Sequence, residues 1–224
     1  PNNRQVKFVL DHFAEFMAIR SRSHEFNSLI DAWQDEVSGN VWNAGRTEEL
    51  ISRGSQWRFL NYETNEGTQW KDFGVEMIAT ASKHAWRPGQ SPFGYGIIGA
   101  ATSPLLEKGR YSHTTFYFRK AFEVSGEEEF SGLKIRLLRE DGAAVYLNGE
   151  EVARENLPPG AGFNTPAEKE AWLHERQVYQ LYSIDPSLLR PGHNVIAVEV
   201  HQWRSNSWSM AFDLQLLALR KDSE

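Results

Sequence analysis

Apolar and polar positions alternate most clearly over residues 133–154. Leu133, Ile135 and Leu137 alternate with Lys134 and Arg136, the period of two expected of a strand with one buried face. Val145 and Leu147 repeat the pattern around Tyr146. Asn148-Gly149 then offers the two positive-φ positions of a type I′ hairpin turn. The pattern predicts two strands meeting near residues 140–142 and a second turn at Asn148-Gly149.

The same reading predicts strands over residues 56–60, 114–124, 177–184, 194–201 and 209–219. In 194–201, Ile196, Val198 and Val200 face one way, and Val195, Ala197, Glu199 and His201 the other. In the last strand Phe212, Leu214 and Leu216 alternate with Asp213 and Gln215. Residues 40–54 are polar and turn-rich, and read as a connection. Residues 61–110 are dense in Gly and Pro and read as long loops with little regular structure, holding an aromatic set of Trp86, Phe93 and Tyr95 expected to be structural. Pro158-Pro159-Gly160 opens a loop over residues 157–170. Asp185-Pro186-Ser187 starts a short helical turn over Leu188 and Leu189, and Pro191-Gly192 ends it. Period-two strands, Gly/Pro turns and long crossovers predict a mainly β, antiparallel sandwich.

Before the strands the period changes. Val6, Val9, Leu10, Phe13, Phe16 and Met17 fall at helical spacing, as do Phe26, Leu29, Ile30, Trp33 and Val37. The division expected is a helical segment over 1–45 and a sandwich module over 50–219. Two short helices with one apolar face each are not stable alone. They must pack on the sandwich, on another domain, or on a partner chain.

Composition narrows the functional classes. The 224 residues suffice for one sizeable core. The formal net charge is −6 and no basic run appears, which argues against nucleic-acid or anionic-membrane binding. Without cysteine there is no disulfide and no thiolate metal site. No apolar run approaches the roughly 18 residues of a membrane-spanning helix, so no membrane insertion is expected. The chain starts at PNNRQ without a signal peptide, as expected of a mature product or of a piece of a longer chain. Eight Trp and 13 Phe fit either a β-sandwich core or an aromatic surface platform.

The succession RGSQWRFL, GTQW, AWRPGQSPFGYG, TTFYFRKAF, LKIRLLREDGAAVYLNGEEVAR, LPPG, IDPSLLRPGHNVIAVEVHQW and FDLQL resembles bacterial β-sandwich modules of the galactose-binding-domain-like superfamily. The resemblance implies a jelly-roll sandwich in a large exported or cell-surface protein. It implies no single activity, since the superfamily holds glycan binders, protein-interaction modules and inert spacers. FNSLIDAWQDEV is similar to the closing helical segment of the spore-coat-kinase-like domains that precede such modules. That likeness implies the C-terminal part of a multidomain surface protein, with no kinase chemistry retained.

The richest chemistry follows the strand at 194–201. Trp203 and Trp208 are suited to stacking on a sugar ring, and His201, Arg204 and Asn206 to bonding its hydroxyls. The competing reading has the two Trp cap the core. Trp172 and His174 are candidates for the same end of the sandwich. Asp141 reads as a turn-former whose carboxylate bonds nearby backbone N–H groups. Asp213 is similar to the acidic residue that helps hold a structural calcium in some sandwich glycan binders. Calcium needs six or more oxygen ligands, and the sequence does not show the others. The histidines lack metal-site spacing, no GxSxG or HExxH occurs, and Glu127-Glu128-Glu129 reads as a solvated turn. The expectation is a non-catalytic, cofactor-free module of an extracytoplasmic bacterial protein that binds carbohydrate at a loop end. The alternative is a structural or assembly module whose partner is a neighbouring domain or chain.

Overall fold

The computed structural model describes residues 47–60, 69–73, 86–97, 100–104, 114–125, 129–171 and 178–221. The helical segment expected over 1–45 lies outside them. The described chain forms eleven strands: β1 (Thr47–Ile51), β2 (Gln56–Leu60), β3 (Arg87–Gln90), β4 (Phe93–Tyr95), β5 (Thr115–Val124), β6 (Phe130–Glu140), β7 (Gly142–Leu147), β8 (Glu150–Glu155), β9 (Gln180–Ile184), β10 (Gly192–His201) and β11 (Met210–Arg220). They make two antiparallel sheets packed as a β-sandwich. The first runs β1-β11-β6-β9, with β4 also on β11; the second runs β3-β2-β5-β10-β7-β8.

Between the sheets lies one apolar layer. Phe118 from the second sheet stacks on Phe212 from the first, centroids 4.0 Å apart, and Trp57 meets Phe212 edge-on at 5.0 Å. Phe93 packs against Phe118 at 4.9 Å. Ile196, Val198 and Val200 of β10 point into this layer, as their alternation predicts, together with Leu133, Ile135 and Leu137 of β6 and Leu214 and Leu216 of β11. The second sheet is also covered on its outer side. Leu60, Tyr117, Ala144, Tyr146 and Ala197 are roofed by Trp70 and Leu157, with Phe163 packed against them. Arg119 ties that roof down by donating to the carbonyls of Trp70 and Asp72 at 3.0 and 2.9 Å.

The turn at Asn148-Gly149 has φ of 53° and 92°, the type I′ geometry, and joins β7 to β8. Asn148 also accepts the Val195 N–H at 2.9 Å and donates to the Asn194 side chain at 2.9 Å, which locks the hairpin to β10.

Three expectations are corrected. The strands that meet at residues 140–142 do not pair with each other: β6 belongs to the first sheet and β7 to the second, so Glu140-Asp141 is the crossing between sheets, through a cis peptide. Residues 47–51 are a strand, not part of a connection; β1 lies along β11, and only Ile51 of its five residues is buried. The stretch 61–110 contains β3 and β4 as well as loop; Trp86 and Phe93 of its aromatic set are buried, Phe93 fully.

The Phe118–Phe212 pair holds the two sheets together. Phe212→Ala is expected to lower the unfolding free energy by about 3–5 kcal/mol, read from the denaturant midpoint at unchanged slope.

Candidate functional site

The site begins at the crossing. Glu140 and Asp141 are both fully buried, and both Asp141 carboxylate oxygens and Glu140 Oε1 are met by donors from distant loops. Asp141 Oδ2 accepts the Trp203 N–H at 2.8 Å, and Oδ1 accepts the Ala171 N–H at 2.8 Å. The Asp141 carbonyl accepts Arg139 Nη1 at 2.5 Å and Asn156 Nδ2 at 3.0 Å. Glu140 Oε1 accepts the Ser209 hydroxyl at 2.5 Å. One dipeptide thus holds both stems of the 203–208 loop, Trp203 at its start and Ser209 at its finish. The 156–171 loop is fastened beside it: Ala167 N–H bonds the Gln202 carbonyl at 3.0 Å and Glu168 N–H the Asn156 carbonyl at 3.1 Å.

Within these stems Ser207 N–H closes a turn onto the Arg204 carbonyl at 3.0 Å. The Arg204 guanidinium lies over the Trp203 ring, 4.1 Å from its centroid, a cation–π contact that fixes both side chains. Trp208 is 82 % exposed, the largest outward apolar surface among the described residues. Trp203, Arg204, Asn206, Ser207, Trp208, Ser209 and Glu170 line an open groove of about 220 Å³. Gly96 backs this loop closely: a Cβ there would fall 2.2 Å from the Trp208 carbonyl oxygen, and its φ of +65° already favours glycine.

The structure therefore brings Trp203, Arg204, Asn206 and Trp208 together on one rim. Trp172 and His174 lie outside the described residues. His201 does not join the rim. It is fully buried, with Nδ1 2.6 Å from the Thr165 carbonyl and 3.1 Å from the Thr115 hydroxyl, and Nε2 3.2 Å from Glu199. Glu199 in turn accepts the Tyr146 hydroxyl at 2.7 Å. Strand parity sends His201 and Glu199 to the outer face of the second sheet, and the 156–171 loop covers them there, so His201 supports the loop from beneath.

Asp213 is likewise corrected as a metal ligand. Its carboxylate is fully buried and ringed by donors: the Tyr179 hydroxyl at 2.7 Å, Leu214 N–H at 2.8 Å and Gly54 N–H at 3.2 Å. A carboxylate saturated by N–H and O–H groups has no oxygen left for calcium, and no cluster of three or more acidic or histidine side chains able to hold a metal occurs among the described residues. Asp213 instead splices β11 to the turn after β1. Burial pushes its carboxyl above the ordinary range, against the opposing pull of the hydrogen bonds. Lower down the outer face of the second sheet, Tyr146 is pushed up by burial and by Glu199 beside it.

Glu170 and Ser207 were not marked by the sequence. Glu170 sits in a charged run that reads as solvated surface, and only the docking of the 156–171 loop sets it at the groove. Asp141 was marked as a turn-former, but its partners are 30 and 62 residues away.

No protein-family model matches the chain, and no curated protein matches it. Among solved structures the chain is similar to a β-glucuronidase of an uncultured Clostridium sp., with 14 % identity and a TM-score of 0.49 over 80 % of this chain and 30 % of that one. It is also similar to Ruminococcus gnavus β-glucuronidase in complex with uronic isofagomine, with 14 % identity and a TM-score of 0.46 over 78 % and 29 % of the two chains. A calcium-binding mutant of Bacteroides uniformis β-glucuronidase 2 gives 20 % identity and a TM-score of 0.46 over 77 % and 18 %. The chain thus spans less than a third of each of these structures. At these scores the likeness bears on neither activity nor ligand, and the sandwich is read from this chain's own two sheets.

Two outcomes follow from the geometry. Asp141→Ala strands one buried and one part-buried N–H group and is expected to cost about 2–4 kcal/mol, with Asp141→Asn costing less because one acceptor remains; chemical denaturation measures both. For Asp213 the folded chain holds the proton more tightly than the unfolded one, whose ordinary value is 3.8. Its contribution to stability is therefore fully present below that value and is lost as pH rises through the raised folded value. Thermal midpoints measured from acid to neutral pH are expected to show this loss, and Asp213→Asn to remove it.

Proposed function

We propose that this chain is a non-catalytic, galactose-binding-like jelly-roll module of an exported bacterial protein that binds carbohydrate in the groove of the 203–208 loop. The supporting observation is Trp208, 82 % exposed on a loop whose two stems are both fastened to Glu140-Asp141. A solvent-facing indole offers the apolar C–H face of a pyranose a flat surface to stack on, and a loop already held in place loses little freedom on binding. Arg204 and Asn206 supply donors at the same rim, and Asn206 and Ser207 acceptors, the polar groups that fix a sugar's orientation. Trp203, half-buried and capped by Arg204, shapes the floor rather than serving as a second platform. Rings buried against the core would have favoured the assembly reading; the exposure of Trp208 favours the carbohydrate one. The short distance between Glu199 and His201 is spent inside the fold, away from the groove, which supports a binding rather than a catalytic role.

A glycan-array screen of the full chain, beside Trp208→Ala and Arg204→Ala, tests this. Trp208 is exposed, so Trp208→Ala should fold normally while binding falls by about tenfold or more. Chelator should leave binding unchanged, since Asp213 is filled by hydrogen-bond donors. A blank array from folded protein would overturn the proposal and move the function to assembly.

A further inference from the structure

Several arginines of the sandwich spend their donors inside the fold. Arg119 donates to the carbonyls of Trp70 and Asp72, and Arg139 to the carbonyl of Asp141. Arg154 and Arg220 pair with Glu151 and Glu48. Arg204 differs. Its guanidinium is held over the Trp203 ring, a contact that draws on no hydrogen-bond acceptor. Among the described residues its N–H groups meet neither a carboxylate nor a carbonyl. Glu170 lines the same groove, but it has an interaction of its own and makes no ion pair with Arg204. The cation is therefore fixed in place at the rim with its fork of donors unspent.

The chemistry of that fork sets what it recognises. A guanidinium binds a carboxylate through two parallel N–H···O bonds, a geometry that a hydroxyl cannot match. Such charge-assisted bonds are roughly twice as strong as neutral ones. Ordering a loose arginine costs rotamer freedom, and the Trp203 contact has removed much of that cost before any ligand arrives. The chain carries a formal net charge of −6, so an anion gains only where a cation stands without a counterion of its own. Arg204 is such a place, and it shares its groove with the exposed Trp208. Glu170 sets the upper limit on ligand charge. One carboxylate can meet Arg204, while a ligand with several anionic groups brings the next one towards Glu170.

We infer that the groove selects pyranosides bearing a single carboxylate, uronic-acid units among them, with the sugar ring on Trp208 and the carboxylate on the Arg204 fork. This rests on the carbohydrate reading of the groove and adds to it the class of sugar. Trp208 supplies the affinity common to pyranoses, and Arg204 the choice among them.

Isothermal titration of the full chain with matched methyl glycosides tests this, beside the glycan array. Each set holds glucuronic or galacturonic acid, the corresponding uncharged uronamide and the corresponding neutral hexose. The acid is expected to bind about tenfold or more tighter than the amide and the hexose. That margin should shrink as salt is raised from about 20 mM to about 500 mM. Arg204→Gln should erase the margin, and Arg204→Lys, which keeps the charge without the fork, should retain only part of it. Trp208→Ala should weaken acid and hexose alike. Equal affinity for acid, amide and hexose would overturn the inference and leave the carbohydrate reading in place. So would array binding confined to neutral or sulfated glycans. Failure of every glycoside together with a blank array would overturn both.

Discussion

Two acidic side chains buried at the point where the chain passes from one sheet to the other set the form of this molecule. A carboxylate without exposure is costly unless every oxygen is met, and Asp141 is met by backbone N–H groups of Ala171 and Trp203 that arrive from two different loops. One oxygen of Glu140 is met by Ser209. The sandwich cannot close with these acids inside unless the 156–171 and 203–208 loops come to the same end. The crossing, an internal requirement of the fold, is thereby also what builds the rim on which Trp208 stands.

The aromatic residues divide accordingly. Trp57, Phe93, Phe118 and Phe212 carry the layer between the sheets, and Trp70 and Trp86 carry the layer outside the second sheet. Among the described residues, these buried rings serve the fold without reference to any ligand. Among the described residues Trp208 is the exposed exception, and its exposure has meaning because the backbone beneath it is restrained by Gly96, Glu140 and Asp141 together. A mobile indole would have to be ordered on binding; this one is presented.

Much of the fold was legible from residue pattern. β5, β6, β7, β10 and β11 have a buried face, and a buried face writes a period of two into the chain; Asn148-Gly149 is a turn whose backbone only a few residue types adopt. β1 was not legible, because a partly covered edge strand with one buried residue leaves no alternation to read. β3 and β4 are four and three residues long and carry Pro and Gly, so they look like loop until a partner strand lies beside them. That β6 and β7 belong to different sheets is a fact about pairing, which periodicity does not contain. The site was half legible. Trp203, Arg204, Asn206 and Trp208 follow a strong strand and so had to lie at its end. His201 and Asp213 misled because alternation marks a polar residue as facing away from the core, while in this protein both outer faces are themselves covered at those positions. Asp141 carries the arrangement through partners far away in sequence, and no local signal marks them.

The claim on which the rest stands is that Asp141 fastens both loops in the folded chain. Amide hydrogen exchange at Trp203 and Ala171, followed by NMR in the unaltered protein, addresses it directly. The account predicts that these two amides, although they lie in loops, exchange as slowly as the central amides of β10 and β11, because releasing them requires the buried crossing to open. Exchange at the rate of the neighbouring exposed residues Ser205 and Asn206 would mean that the loops move independently of the crossing, and would contradict it.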